Sequence, residues 1–189
     1  IDGQRSDLVV RTFKDGVAAR LAHDHVIRAQ GVAGELVFEP TRLHEARLKV
    51  VVQVATLVVD ELKVRKRFGL EGAVSAGDLA TIRENMLAKD QLWVDEHKTI
   101  EFASRRFREN PDRTYTVEGD FTLRGVTRPV RLSVVIDPLG EGLLRGVGKL
   151  RLKQSDFGYE PYSGLLGAVK NQDEVVLHIT LVAAPKKGP

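Results

Sequence analysis

The chain reads as an all-β protein, an antiparallel β-barrel of about eight strands with one or two short helices. Three observations predict this. The stretch Tyr115 to Ile136 alternates nearly without fault: Tyr115, Val117, Gly119, Phe121 and Leu123 fall on one face, and Thr116, Glu118, Asp120, Thr122 and Arg124 on the other. After Gly125 the pattern resumes with Val130, Leu132, Val134 and Ile136 against Arg131 and Ser133. Strand side chains point to opposite faces with period two, so this is a hairpin with one oily and one wet face. Similar period-two segments recur along most of the chain, separated by turn residues. Only one long stretch, Asp78 to Lys89, repeats instead at helical spacing.

Taken in order, Leu8 to Phe13 is β-prone and ends at Lys14-Asp15-Gly16, a turn by composition. Val17 to Ile27 reads as a strand, with Val17, Ala19 and Leu21 opposite Arg20 and Asp24. Gly34 to Phe38 is a short strand closed by Pro40. Leu48 to Val59 is longer, with Leu48, Val50, Val52 and Val54 alternating before the run becomes wholly apolar at Leu57-Val58-Val59. Asp60 to Phe68 is charged and reads as a short helix, and Gly69 to Gly77 as loop. In the next helix Leu79, Ile82, Met86 and Leu87 share a face, with Asp78 or Ser75 as cap. Such a helix plugs a barrel end or covers a sheet edge. Strands return at Thr99 to Arg105 and, after Asn110-Pro111-Asp112, at the long hairpin. Gly125 supplies its turn and Pro129 sits where no ladder donor is lost. Asp137 to Gly140 reads as a turn, Leu144 to Phe157 as a long strand, and Glu174 to Ala183 as the last one. A closed barrel leaves no sheet edge exposed.

The totals suit one soluble domain over residues 1–189, with its core at about 8–183. Apolar residues make up 42% and charged ones 29%, and net charge is only +3. Basic residues are mixed with acidic ones except in Lys63 to Arg67 and Lys186-Lys187, which argues against a nucleic-acid partner. Cysteine is absent, which excludes disulfides and thiolate chemistry. No apolar run approaches the roughly 20 residues of an integral membrane helix. The chain opens at Ile1, as a trimmed or processed product would. A homodimer is left open.

His23-Asp24-His25 is the sharpest local feature. Two imidazoles at i and i+2 on one strand face suit a metal, yet no carboxylate follows within Val26 to Gln30. A third ligand would come from afar, from His44, His97 or a glutamate. The plain alternative is a pair of hydrogen-bonded histidines at a barrel mouth. No catalytic constellation emerges: there is no G-x-S-x-G elbow, and Gly142 to Gly148 lacks the GK[ST] of a phosphate loop. No cofactor is indicated. Trp93 reads as a packing anchor, Asp95-Glu96-His97 as a loop end, and Tyr159 to Gly167 as an apolar loop that lines an entrance or covers the barrel end.

Three motifs resemble those of the YceI-like family of bacterial lipocalin-like proteins. Gly119 to Val130, reading GDFTLRGVTRPV, is similar to its most specific signature. Ser155-Asp156-Phe157-Gly158 resembles its S-D-F-G element, and Thr99 to Ser104 its T-I-x-F-x-S strand, with Leu92-Trp93 just before. Asp173-Glu174-Val175 resembles the start of its closing strand, so order and spacing hold from about Leu8 to Ala183. Departures are Lys98 in place of proline, a longer and more charged Glu61 to Ala76, and the His-Asp-His of a divergent branch.

The resemblance implies a lipocalin-like barrel of eight strands with a helix near one end. It implies a lumen for a long amphiphile, a polyisoprenoid or isoprenoid quinone, in a protein exported to the periplasm or secreted; a cytoplasmic site is the alternative. The alternating faces offer Leu48, Val50, Val52, Phe102, Tyr115 and Val117 as lumen or core residues. Phe121, Leu132, Val134, Leu150 and Leu152 complete that set, with His23 and His25 as polar groups at the mouth. The resulting reading is a non-catalytic lipid carrier or sequestering module. Its rivals are a metal-dependent small enzyme using His23 and His25, and an interaction module with a solid core.

Overall fold

A computed structural model describes residues 1–16, 23–164 and 168–186. Ten strands form one strongly curled antiparallel sheet: β1 (Asp7–Thr12), β3 (His25–Ala29), β4 (Val32–Val37), β5 (Arg47–Gln53), β6 (Leu57–Val59), β7 (Thr99–Glu109), β8 (Tyr115–Leu123), β9 (Val126–Gly140), β10 (Leu143–Lys153) and β13 (Glu174–Ala183). Their order is β4-β5-β7-β8-β9-β10-β13-β1-β3-β6. Only Gln30 and Gly31 separate β3 from β4, and the 3-10 turn Val54–Thr56 separates β5 from β6. The pairs Ile27↔Val59 and Val32↔Val52 belong to one bent hairpin whose register slips by two residues at that turn. The bend is stitched by Gln53 N–H to Gly31 O at 3.0 Å and Gly31 N–H to Thr56 Oγ1 at 2.8 Å. Because β3 pairs with β1 and β5 with β7, the ladder returns on itself. Counting each bent strand once gives the eight-stranded barrel that the periodicity predicts.

The β8 face of Tyr115, Val117, Gly119, Phe121 and Leu123 is buried at every position, as its alternation requires. Arg124 and Gly125 form a two-residue turn with φ of 51° and 71°, the primed geometry that matches strand twist. At Gly119 a Cβ would lie 2.6 Å from the Phe102 ring, so the absent side chain lets that ring lie flat against the wall.

Several boundaries differ from the sequence expectation. Lys14–Asp15 is a short strand (β2), not a turn; it pairs with β12 (Val169–Asn171), which also holds β11 (Ser163–Gly164). Asp137 to Gly140 extends β9, paired through Pro138↔Leu144, and the turn falls at Glu141-Gly142. Strand β7 runs on to Glu109, and β10 ends at Lys153 before the 3-10 turn Ser155–Phe157. The expected strand Val17 to Ile27 begins at His25, and residues 17–22 lie outside the described residues.

The charged stretch forms α1 (Leu62–Arg67), and α2 spans Ala76–Leu87 with Ser75 as cap, its Oγ accepting from Asp78 N–H. Helix α1 packs on the outside of β1 and β3. Val9 and Val26 point away from the lumen yet are buried under Val64, Phe68 and Leu70. No helix among the described residues is long and apolar enough to cross a membrane.

Candidate functional site: an apolar lumen with a polar mouth

The inward faces of the strands enclose a cavity of about 800 Å³. Ligand pockets run from roughly 300 to 1,000 Å³, so this space is at the upper end. Its wall is apolar because period-two strands send every second residue, here an apolar one, inward. Leu48, Val50, Val52, Phe102, Val117, Phe121, Leu132, Val134, Leu150 and Leu152 all line it. Tyr115 does not. It packs edge-on against Phe38, ring centroids 5.3 Å apart, and Phe38 in turn packs into a plug with Phe107, Ala46 and Leu43. Leu8, Val10, Ile27, Leu177 and Ile179 also line the cavity, residues that alternation alone does not single out. Their alternation was visible, but which strands neighbour each other was not.

Gly146 and Gly148 are inward on β10. A Cβ on Gly146 would meet nothing within 4 Å, whereas one on Gly148 would lie 2.9 Å from Val134 Cγ1. Gly146 therefore leaves lumen volume that a side chain would occupy.

Opposite the plug, α2 lies across the barrel end and presents Ile82, Asn85 and Met86 to the cavity. None of its residues is fully buried, so it covers the opening without becoming core. Tyr159 and Tyr162 line the same end, while residues 165–167 of that loop lie outside the described residues. Burial raises the Tyr159 phenol well above its ordinary pKa, with Arg124 opposing, so the hydroxyl stays neutral.

The mouth also holds a buried polar cluster. His25 Nδ1 lies 2.5 Å from Asp60 Oδ2, and Asp60 Oδ1 accepts from Val26 N–H at 3.0 Å and from Arg65 Nη1 at 2.9 Å. Asp60 ends the apolar β6 run with φ of 51°, a conformation that aspartate tolerates better than most residues. Burial works against its charge, but the hydrogen bonds from His25, Val26 and Arg65 together with the His25 charge outweigh it and hold its pKa below the usual carboxylate value. Arg65, on α1, also donates to the carbonyls of Asp24, Glu71 and Gly72 at 3.2–3.3 Å. Four of its five N–H bonds are thereby used. Thr12 sits directly across from His25 in the β1–β3 ladder, 7% exposed, and its hydroxyl has no partner among the described residues.

His23 precedes the strand rather than lying on it and is exposed; both histidines line the cavity. The distant histidines are not brought to them. His44 is exposed beside Glu45 at 3.5 Å, and His97 stacks on Trp93 with centroids 5.4 Å apart. Among the described residues no three His, Asp or Glu side chains converge to hold a metal ion. Asp60 was the missed residue. Its signal was a carboxylate placed directly after three apolar residues, Leu57-Val58-Val59.

The motif residues act as scaffold around this end. Arg124 donates to the carbonyls of Gly158 and Lys89 and lies over the rings of Trp93 and Tyr159. Arg128 Nε reaches Asp156 O at 2.8 Å, and Ser155 N–H and Oγ both bind the Asp173 carboxylate. Phe157 is 1% exposed and stacks on Phe121, anchoring the turn in the wall.

This architecture is shared. No match is found among curated protein sequences. Burkholderia cenocepacia BcnA superposes with a TM-score of 0.74 at 17% identity, covering 97% of this chain and 99% of that one. A polyisoprenoid-binding domain from Saccharophagus degradans, implicated in plant cell wall breakdown, gives 0.64 at 11% identity, covering 97% of each. The Campylobacter jejuni YCEI protein gives 0.59 at 16% identity over 85% of each chain. At these identities the likeness establishes the fold. The sequence profile of the YceI-like domain matches residues 8–183, and the chain therefore belongs to the YceI-like family.

Proposed function

We propose that the protein binds a long amphipathic lipid, an isoprenoid or isoprenoid quinone, in the barrel lumen and carries or sequesters it without chemical change. The observation that supports this most is the cavity itself: about 800 Å³ with an apolar wall, packed at one end and polar at the other. Affinity comes from apolar burial at roughly 25 cal/mol per Å², less the cost of ordering a flexible chain. The Saccharophagus degradans domain, named for polyisoprenoid binding, supports the ligand class. His23 and His25 stand where the head group emerges. The carrier role goes with an exported protein working in the periplasm or outside the cell, which fractionation of the native host checks.

Native mass spectrometry of the purified protein, with organic extraction, is the direct test. The expected result is a co-purified or readily added prenyl lipid at one per chain. A clean apo mass together with no uptake of prenyl lipids sinks the proposal.

A further inference from the structure

Resting on the lumen reading, we infer that the mouth selects a neutral head group bearing a hydroxyl, a prenol or a reduced quinone, over a prenyl diphosphate. The warrant is the arrangement of His25. With Nδ1 at 2.5 Å from the Asp60 carboxylate, the Nδ1 proton is directed at that oxygen. In the neutral form of the imidazole the lone pair then lies on Nε2. That nitrogen has no hydrogen-bond partner among the described residues, and its side chain lines the cavity at 18% exposure. A lone acceptor at the end of an oily lumen matches a hydroxyl donor.

A second observation points to a missing partner at the same place. Thr12 faces His25 across the ladder, and its hydroxyl is buried without a partner among the described residues. Buried hydroxyls are nearly always satisfied, so an oxygen supplied from outside the chain is the natural complement. No hydrogen bond joins Thr12 Oγ1 to His25, so the pair is arranged to hold a hydroxyl rather than to activate a nucleophile.

The charges argue against an anionic head. The Asp60 carboxylate and the Arg65 guanidinium neutralise each other at 2.9 Å. The remaining Arg65 contacts are backbone carbonyls, which hold the cation in the wall and turn it away from the lumen. Lys153, the other cation of the lining among the described residues, is exposed, so a diphosphate at the depth of His25 would lose its hydration without a buried cation free to pair with it, and burying an unpaired charge is costly.

The test compares three ligands of one chain length at pH 8: geranylgeraniol, its methyl ether and geranylgeranyl diphosphate. The alcohol is expected to bind roughly tenfold more tightly than the ether, about the worth of one hydrogen bond, and more tightly than the diphosphate. His25→Phe should abolish the preference for the alcohol over the ether, and a thermal melt shows separately that the variant is folded. Thr12→Val, which removes no hydrogen bond of the fold, should weaken the alcohol alone. Equal affinities in the wild type, a preference for the diphosphate, or an alcohol preference unchanged in both variants each overturns the inference. Binding by none of the three overturns the lumen reading beneath it.

Discussion

The barrel end that holds Phe38, Phe107 and Tyr115 is sealed by packing, whereas the end that holds His25, Asp60 and Arg65 is held by hydrogen bonds and charge. At the first, aromatic rings 5.3–6.0 Å apart fill the space with no ion pair among them. At the second, the buried Asp60–Arg65 ion pair joins a strand, a helix and a loop: Asp60 accepts from Val26 N–H, and Arg65 donates to the Glu71 carbonyl. The contrast separates two jobs. A closed end needs only volume filled. An end that admits a ligand needs a fixed frame that does not occupy the opening, and directional bonds in the wall supply one.

The largest expected effect tests that contrast directly. Asp60→Ala leaves Arg65 buried and unpaired and should cost about 3–5 kcal/mol at pH 7. Phe107→Ala should cost about the same through a cavity in the plug. The two differ in pH dependence. The folded pKa of Asp60 lies below its unfolded value, so its contribution is present above pH ~4 and is lost as pH falls through the folded value. Denaturant titrations from pH 7 to 3 should show the Asp60→Ala penalty shrinking in acid while the Phe107→Ala penalty stays constant. Parallel losses would mean that the mouth is held by packing as well.

Next in size is Gly146→Leu. Its side chain would enter empty lumen, so ligand capacity should fall about tenfold or more while stability holds or rises by up to about 1 kcal/mol. Gly148→Leu, built against Val134 at 2.9 Å, should instead destabilise the wall. Binding isotherms and thermal melts of the two variants distinguish them; unchanged uptake by Gly146→Leu would place the ligand elsewhere.

Smaller still, Thr12→Val exchanges a buried hydroxyl without a partner for a methyl group. It should leave the ligand-free protein unchanged or more stable by about 1 kcal/mol, measured by chemical denaturation. A loss would show that the hydroxyl already has a partner. The smallest effect belongs outside both ends. His178 packs under Phe68 with centroids 4.7 Å apart, and burial, followed by Lys149, Arg11 and Arg67, lowers its pKa. The unfolded chain therefore binds this proton more readily than the folded one, so His178 erodes stability as pH drops below about 6.5. His178→Gln should flatten that part of the stability profile, and an identical slope would assign it to other groups.

What was legible in the sequence follows from the range of the forces involved. Alternation in Tyr115 to Leu123 and in Val130 to Ile136 is a local property of the extended chain, so the inward faces and most of the wall could be read directly. The turn at Arg124-Gly125 and the cap at Ser75 are likewise settled within a few residues. The motifs that name the family sit where loops are tied down, which explains why they report the fold and leave the ligand open.

Sequence alone thus determined the barrel, its two-faced strands, its family and the oily character of its interior. Tertiary structure decided the rest. It placed Tyr115 in the plug rather than the lumen, buried Val9 and Val26 under α1, and joined Asp60 to His25 across 35 residues of chain. Periodicity says which face a residue takes, but only the register between distant strands says what it meets there.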